Sequence, residues 1–327
     1  MITILTGGTG GAKFVQGLVR ILPPEELAVI VNTGDDLTWW GLHVSPDLDS
    51  ITYALAGILS RERGWGIEGD TFTCLARMRQ LGAPAWFQLG DRNLATHLRR
   101  TQLLTVHTLT QATSQIASEM GVRARILPMS DDRVETRVLT AAGELSFQEY
   151  FVRERYRVPV KGVRFVGAEQ AQAAPGVVEA IRDAAAVLIA PSNPITSIGP
   201  ILSVPGIRAA LRQTAVIAVS PIVGGAAVSG PAGELMKTQG LPVSIVGVAQ
   251  AYEDFLDVLI ADERDRPHAA EVEKLGMQVT FTNTIMDSDN AKAELARAAV
   301  SAVIPARAAP GSPARAARDG VVAGRAR

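Results

Sequence analysis

The stretch ITILTGGTGGAKFVQGLVRI, residues Ile2 to Ile21, joins a short β-branched strand, a glycine-dense turn and an amphipathic helix. Ile2–Leu5 reads as a strand placed so early that later strands are expected to flank it inside a sheet. Gly7, Gly8, Gly10 and Gly11 remove Cβ atoms where backbone would approach a ligand, and a helix from Ala12 would aim its free N–H groups back at the turn. With Thr9 and Lys13, this is the expected phosphate cradle. On that expectation, valine at Gly10 weakens nucleotide binding and leaves the thermal transition near normal.

The turn matches neither common fingerprint. Read as G-x-G-x-x-G from Gly8, its third glycine is Lys13; read as a P-loop from Gly7, its sixth position is Ala12 and Phe14 replaces the metal-binding hydroxyl. A simple ATPase or nicotinamide dehydrogenase is therefore disfavoured.

Working outward, Leu27–Thr33 is a second buried strand that ends in Asn32-Thr33-Gly34-Asp35-Asp36, which brings two carboxylates to the edge where open α/β sheets bind ligands. Ser45-Pro46-Asp47-Leu48-Asp49-Ser50 opens a helix. Ser45 and Asp47 are accounted for as capping residues, whereas Asp49 is not. Gly64-Trp65-Gly66 forms a loosened loop, and Gly90-Asp91-Arg92-Asn93 precedes a helix from about Leu94 to Arg100, where Arg92 could meet an anion or a planar ring.

From about 126 to 166 the texture changes to short alternating strands around Ala141-Ala142-Gly143, which predicts an inserted β subdomain. Helical pattern covers Ala168–Ala184. Strand Val187–Ala190 then runs into Pro191-Ser192-Asn193-Pro194-Ile195-Thr196-Ser197, a stiff, hydroxyl-rich loop in which Ser192, Asn193 and Ser197 suit phosphate or nucleoside oxygens. Further strands are expected at Ala215–Val219, Val243–Val248, Val258–Ile260 and Gln278–Phe281, with a last helix at Ser288–Val303. The alternation predicts an α/β fold, a mostly parallel sheet with helices on both faces, in a single domain over 1–304. Residues 305–327 are Ala-, Pro-, Gly- and Arg-rich and are expected to be disordered.

Composition narrows the function classes. With 32 basic and 33 acidic residues, no global charge favours nucleic acid or an anionic membrane, so an anionic ligand must be met locally. Cys74 is the only cysteine, which excludes a disulfide framework and any multi-cysteine metal site. No apolar run is long enough to span a bilayer, and a soluble cytoplasmic protein is expected.

The ordered set GGTGGAKF, NTGDD, SPDLDS, GWGIEGDTF, LGDR, LPMSDDRVET, PSNPITSIGPI, SPIVGG and SGPAG resembles the 2-phospho-L-lactate transferase family of coenzyme F420 biosynthesis from Met1 to about Val300. The resemblance implies a Rossmann-like, usually homodimeric enzyme that uses Mg²⁺. Such an enzyme moves a phospholactyl or phosphoenolpyruvyl group from a guanosine-diphosphate-linked donor to the ribityl hydroxyl of the deazaflavin Fo and releases GMP. It associates Asp35 and Asp49 with metal and catalysis, and Asp49 and Arg92 with the acceptor. Trp65 is expected to help cover the acceptor ring. One departure is Asn93, where the family often has another Asp. The competing reading is a regulator of related fold that binds nucleotide sugars without catalysis.

Overall fold

A computed structural model describes residues 1–303; the expected disordered tail at 305–327 lies outside the described residues. Seven strands form the central sheet: β1 (Ile2–Thr6), β2 (Leu27–Val31), β3 (Arg125–Pro128), β4 (Ala186–Ile189), β5 (Val216–Val219), β6 (Val258–Asp262) and β7 (Gln278–Thr282). Their spatial order is β3-β2-β1-β4-β5-β6-β7, and every pairing is parallel. The early strand is thus central, bonded in register to β2 on one side and to β4 on the other.

Because successive side chains in a strand point to opposite faces, each β-branched run feeds two cores. Ile4, Val29, Leu188 and Ile217 face one layer with Phe14, Leu48 and Leu295, while Leu5, Ile30, Ile189 and Ala218 face the other with Ile201, Leu211 and Val248. Each such fully buried aliphatic side chain contributes about 1.5–3 kcal/mol relative to exposure. Helices cover both faces, as the alternation of elements predicts.

The helix after β1 spans Gly8–Leu18, so it begins four residues earlier than expected and absorbs three of the glycines. Backbone conformation explains Gly8, whose φ is 70°, and close packing explains Gly10, Gly11 and the later Gly17. A Cβ on Gly10 would stand 2.6 Å from the carbonyl oxygen of Pro191, one on Gly11 would collide with the hydroxyl of Thr6, and one on Gly17 would collide with the Lys292 carbonyl of the helix Asp289–Ser301. Valine at Gly10 therefore disturbs the fold itself, contrary to the expectation of an unaffected thermal transition.

Three other segments differ from expectation. Arg125–Pro128 belongs to the central sheet, so the insertion starts after Pro128; its three antiparallel strands are Gly143–Ser146, Glu135–Thr140 and Val160–Val166. The run around Val243–Val248 is the helix Ile245–Ala251, not a strand: Ile245, Val246, Val248 and Ala249 are all buried, and helical burial outweighs the β preference of its valines. Within 168–184 only Val177–Arg182 is an α-helix, since Gly176 reverses the chain with φ 87° immediately before it.

Candidate active site

The sheet order reverses between β1 and β4, and ligands of open α/β sheets bind outside the carboxyl ends of the strands at such a point. The two loops that leave these strands are the glycine turn and Pro191–Ser197. Between them opens a cavity of about 700 Å³. Gly8, Thr9, Gly10, Lys13, Asp35, Asp49, Trp65, Ser192, Asn193 and Ser197 all line it, so most residues singled out in the sequence come together.

Two do not face it. Gly11 is turned toward Thr6 and Ser192, while Arg92 is exposed and its guanidinium donates to the carbonyl of Glu68 at 2.8 Å. The Gly90-Asp91-Arg92 segment has a structural task of its own. Asp91 accepts from the backbone N–H groups of Thr73 and Cys74, and Asp70 accepts from those of Arg92 and Asn93, so each carboxylate caps the other's neighbouring helix.

Two of the glycine-turn N–H groups already have partners. Gly7 N–H donates to Ser192 Oγ at 3.3 Å, and Gly8 N–H donates to Asp47 Oδ1 at 2.8 Å. Asp47 thus caps the helix Gly8–Leu18 across space, in addition to lying in the first turn of its own helix, Pro46–Leu55. Its Oδ2 accepts from the Asn32 amide at 2.9 Å. Ser45, expected as a cap, instead donates to Asp36 at 2.7 Å.

Asp35 and Asp47 are buried in the cavity wall and have no cationic partner among the described residues. Burial, then the charge of Asp47, drives the Asp35 pKa well above the usual carboxylate range, and its Oδ1 has no hydrogen-bond partner among the described residues. Burial pushes Asp47 up to about 6 against the lowering effect of its bonds to Asn32 and Gly8. Asp36, behind them, is also raised by burial and is held by His43 and Ser45.

Asp49 sits in a different environment. The guanidinium of buried Arg100 grips both of its oxygens, with His97 Nδ1 3.5 Å from Oδ2. Burial pushes His97 down to about 4, so it is neutral at pH 7. The two carboxylates expected to converge, Asp35 and Asp49, are therefore electrostatically unlike: the first is unpaired and the second is neutralised.

A divalent cation fits Asp35 and Asp47. Their mutual repulsion and the orphaned Asp35 oxygen are what a cation would relieve, whereas Asp49 already has Arg100. No group of three His, Cys, Asp or Glu able to hold a metal exists among the described residues. Mg²⁺ characteristically takes one or two carboxylates and completes its shell with water and substrate phosphate, which a two-acid site allows.

Sequence reasoning did not assign ligand contacts to Asp47, His97, Tyr53, Trp86, Phe87 or the insertion residues Phe147, Gln148, Phe151, Val152 and Arg155, all of which line the cavity. Asn93 also lines it, accepting from the Tyr53 hydroxyl at 2.7 Å. The D-x-D spacing of Asp47 and Asp49 was the available signal, but a local capping role concealed it. Trp86 packs edge-on against Trp39 at 4.7 Å between ring centres, and Arg153 of the insertion lies 5.7 Å above Trp86, which ties the insertion to the aromatic wall.

Residues 2–304 match the family described as 2-phospho-L-lactate transferase CofD. The chain belongs to the 2-phospho-L-lactate transferase family. It is 47% identical over 300 residues to the 2-phospho-L-lactate transferase of Methanosarcina mazei, covering 91% of this chain and 99% of that one. The corresponding Methanosarcina acetivorans protein is 49% identical over 294 residues, covering 90% and 96%. A phosphoenolpyruvate transferase of Kitasatospora aureofaciens is 42% identical over 310 residues, covering 92% and 97%. Among solved structures, a member of the upf0052 family from Bacillus halodurans superposes with a TM-score of 0.62 at 17% identity over 91% of this chain and 98% of that one, a likeness of fold. The transferase relatives are spanned almost end to end, so the switch-point cavity is the active-site candidate of a transferase. No helix among the described residues is long and apolar enough to cross a membrane.

Proposed function

We propose that the protein transfers a phospholactyl or phosphoenolpyruvyl group from a guanosine-diphosphate-linked donor to the ribityl hydroxyl of the deazaflavin Fo, with release of GMP, in coenzyme F420 biosynthesis. The observation that carries this reading is the unpaired acid pair Asp35 and Asp47 beside a helix N-terminus at the sheet's switch point. Transfer between phosphates must neutralise charge, and two uncompensated carboxylates at that edge supply a place for the cation that does so.

The acceptor oxygen forms a bond to the phosphorus bearing the three-carbon acid. The bond from that phosphorus to the oxygen bridging to GMP breaks, and GMP leaves with the electron pair. The hydroxyl proton is lost to solvent at the Asp35–Asp47 end of the cavity; Asp49, gripped by Arg100, serves to hold the acceptor wall in place. Asp35 and Asp47 would hold Mg²⁺, which supplies charge neutralisation for the diphosphate. Ser192, Asn193 and Ser197 face the nucleotide side, with Lys13 and the N-terminus of the helix Gly8–Leu18 toward the phosphates. The aromatic wall of Trp65, Trp86 and Phe87 suits a flat heterocycle.

The test offers purified protein each guanylylated donor with Fo, follows GMP, and identifies the phosphodiester product by mass, with and without EDTA. Product with at least one donor, lost in EDTA, is expected. Absence of GMP release with every donor, alongside tight nucleotide-sugar binding, would make the protein a nucleotide-sugar-binding regulator. The homodimer implied by the family is checked by sedimentation of the same preparation.

A further inference from the structure

The insertion carries two consecutive residues with left-handed backbone that are not glycine: Arg155 at φ 52° and Tyr156 at φ 46°. The chain reaches this conformation because a π-turn, Glu149–Arg153, closes with Glu154 N–H on the Glu149 carbonyl and Tyr156 N–H on the Tyr150 carbonyl, and the reversal that follows demands positive φ. Glycine or asparagine fits such a position with less strain than arginine. Strain retained at a cavity wall points to a task for the side chain.

Arg155 lines the cavity from its exposed rim and makes no hydrogen bond or ion pair among the described residues. Its neighbour Arg153, by contrast, pairs with both Glu149 and Glu154. Among the described residues that line the cavity, Lys13 and Arg155 are the two lysines or arginines, and they belong to different walls: Lys13 to the helix that begins at the glycine turn, Arg155 to the insertion. The donor of the proposed reaction carries two kinds of anion, a diphosphate and the carboxylate of its three-carbon acid. A planar guanidinium matches a carboxylate with two parallel hydrogen bonds, whereas an ammonium beside a helix N-terminus suits phosphate.

We propose that Arg155 is a specificity-determining residue whose guanidinium pairs with the carboxylate of the donor, leaving Lys13 and the glycine-rich helix to the diphosphate. This rests on the transfer reaction proposed above. The carboxylate is common to phospholactyl and phosphoenolpyruvyl donors, so one residue serves both.

The test measures, by calorimetry on the full chain, the affinity for guanylylated phosphoenolpyruvate and for GDP, which lacks the carboxylate. Arg155→Gly relaxes the strained position, so its melting temperature is expected to equal or exceed that of the parent, while affinity for the carboxylated donor falls roughly 10-fold or more and affinity for GDP holds. Arg155→Lys is expected to fall between. Arg155→Asn, which also tolerates left-handed backbone, repeats the measurement if glycine loosens the loop. Equal loss for both ligands would assign Arg155 to the diphosphate and overturn the proposal; unchanged affinity for both would reduce it to a strained loop residue. Failure of the transfer reaction is distinguishable, since it would appear as absence of GMP release by the parent protein, a readout separate from these affinities.

Discussion

Asp47 and Asp49 lie two positions apart in one helix, both buried at the same cavity, and they have opposite electrostatic circumstances. Asp49 is held by the guanidinium of Arg100, fifty-one positions away, within a buried network that also includes His97. Asp47 has a backbone N–H and an amide for company and faces Asp35, a second carboxylate without a cation. The difference teaches that the wall of this site is divided into a part whose charge is internally balanced and a part whose carboxylates have no cationic partner among the described residues. The first part belongs to the fold, and the second carries a cost that function explains.

The largest effect expected from this contrast is on Arg100. Arg100→Met leaves the Asp49 carboxylate buried without its cation and should destabilise the protein by about 3–5 kcal/mol, while Arg100→Met combined with Asp49→Leu should recover most of the loss. Urea denaturation of the three proteins checks this; no recovery in the double variant would mean that the pair is not the balanced unit described.

Next comes turnover. Asp47→Asn should lower the rate of GMP release by roughly 10²-fold or more without unfolding the protein. At limiting Mg²⁺, the rate for the parent should climb as pH rises through about 6, because the Asp47 carboxyl must ionise to hold the ion. An Asp47→Asn enzyme that keeps parental turnover and the same acid limb would move the chemistry elsewhere.

A smaller loss tests the glycine turn. Gly10→Val pushes a side chain toward the Pro191 carbonyl and should cost about 1–3 kcal/mol of stability, as overpacking does. Circular dichroism melts read it directly, and an unchanged transition would restore Gly10 to a purely ligand-facing role.

The smallest effect has the opposite sign. Burial and the charge of Asp47 raise the folded Asp35 pKa above its unfolded value, so its contribution favours the fold at low pH and is lost as pH rises through the folded value. Asp35→Asn should therefore stabilise the protein by about 0.5–2 kcal/mol at pH 8, with the gain shrinking at pH 4, while turnover falls. A stabilisation independent of pH would show that removal of charge is not its cause.

The balanced and unbalanced halves of the wall were not equally legible. The strands that end at the site were readable because β-branched runs alternate with helical ones, and β1, β2 and β4 to β7 fall close to the expected segments. Asp35 could be noticed because it stands in a loop after such a strand. Arg100 could not be matched to Asp49, since nothing local in a chain marks a partner fifty-one positions away in another helix. Asp47 was hidden by a sufficient local explanation, capping of its own helix, when its oxygen in fact serves the helix that starts at Gly8. The run Val243–Val248, short and apolar, supports strand and buried helix alike, and burial on the sheet's flank decides for helix.

The central position of β1 also bears on how the molecule is made. Ile2 pairs with Leu27 on one side and with Ala186 on the other, so one edge of this strand finds its partner soon after synthesis and the other waits for about 180 further residues. At a synthesis rate of ~5–20 residues per second, that interval is roughly 10–40 s. Through it, an apolar strand edge stays open while the insertion and the acidic loops emerge, a template for wrong pairing that lasts until β4 closes the gap.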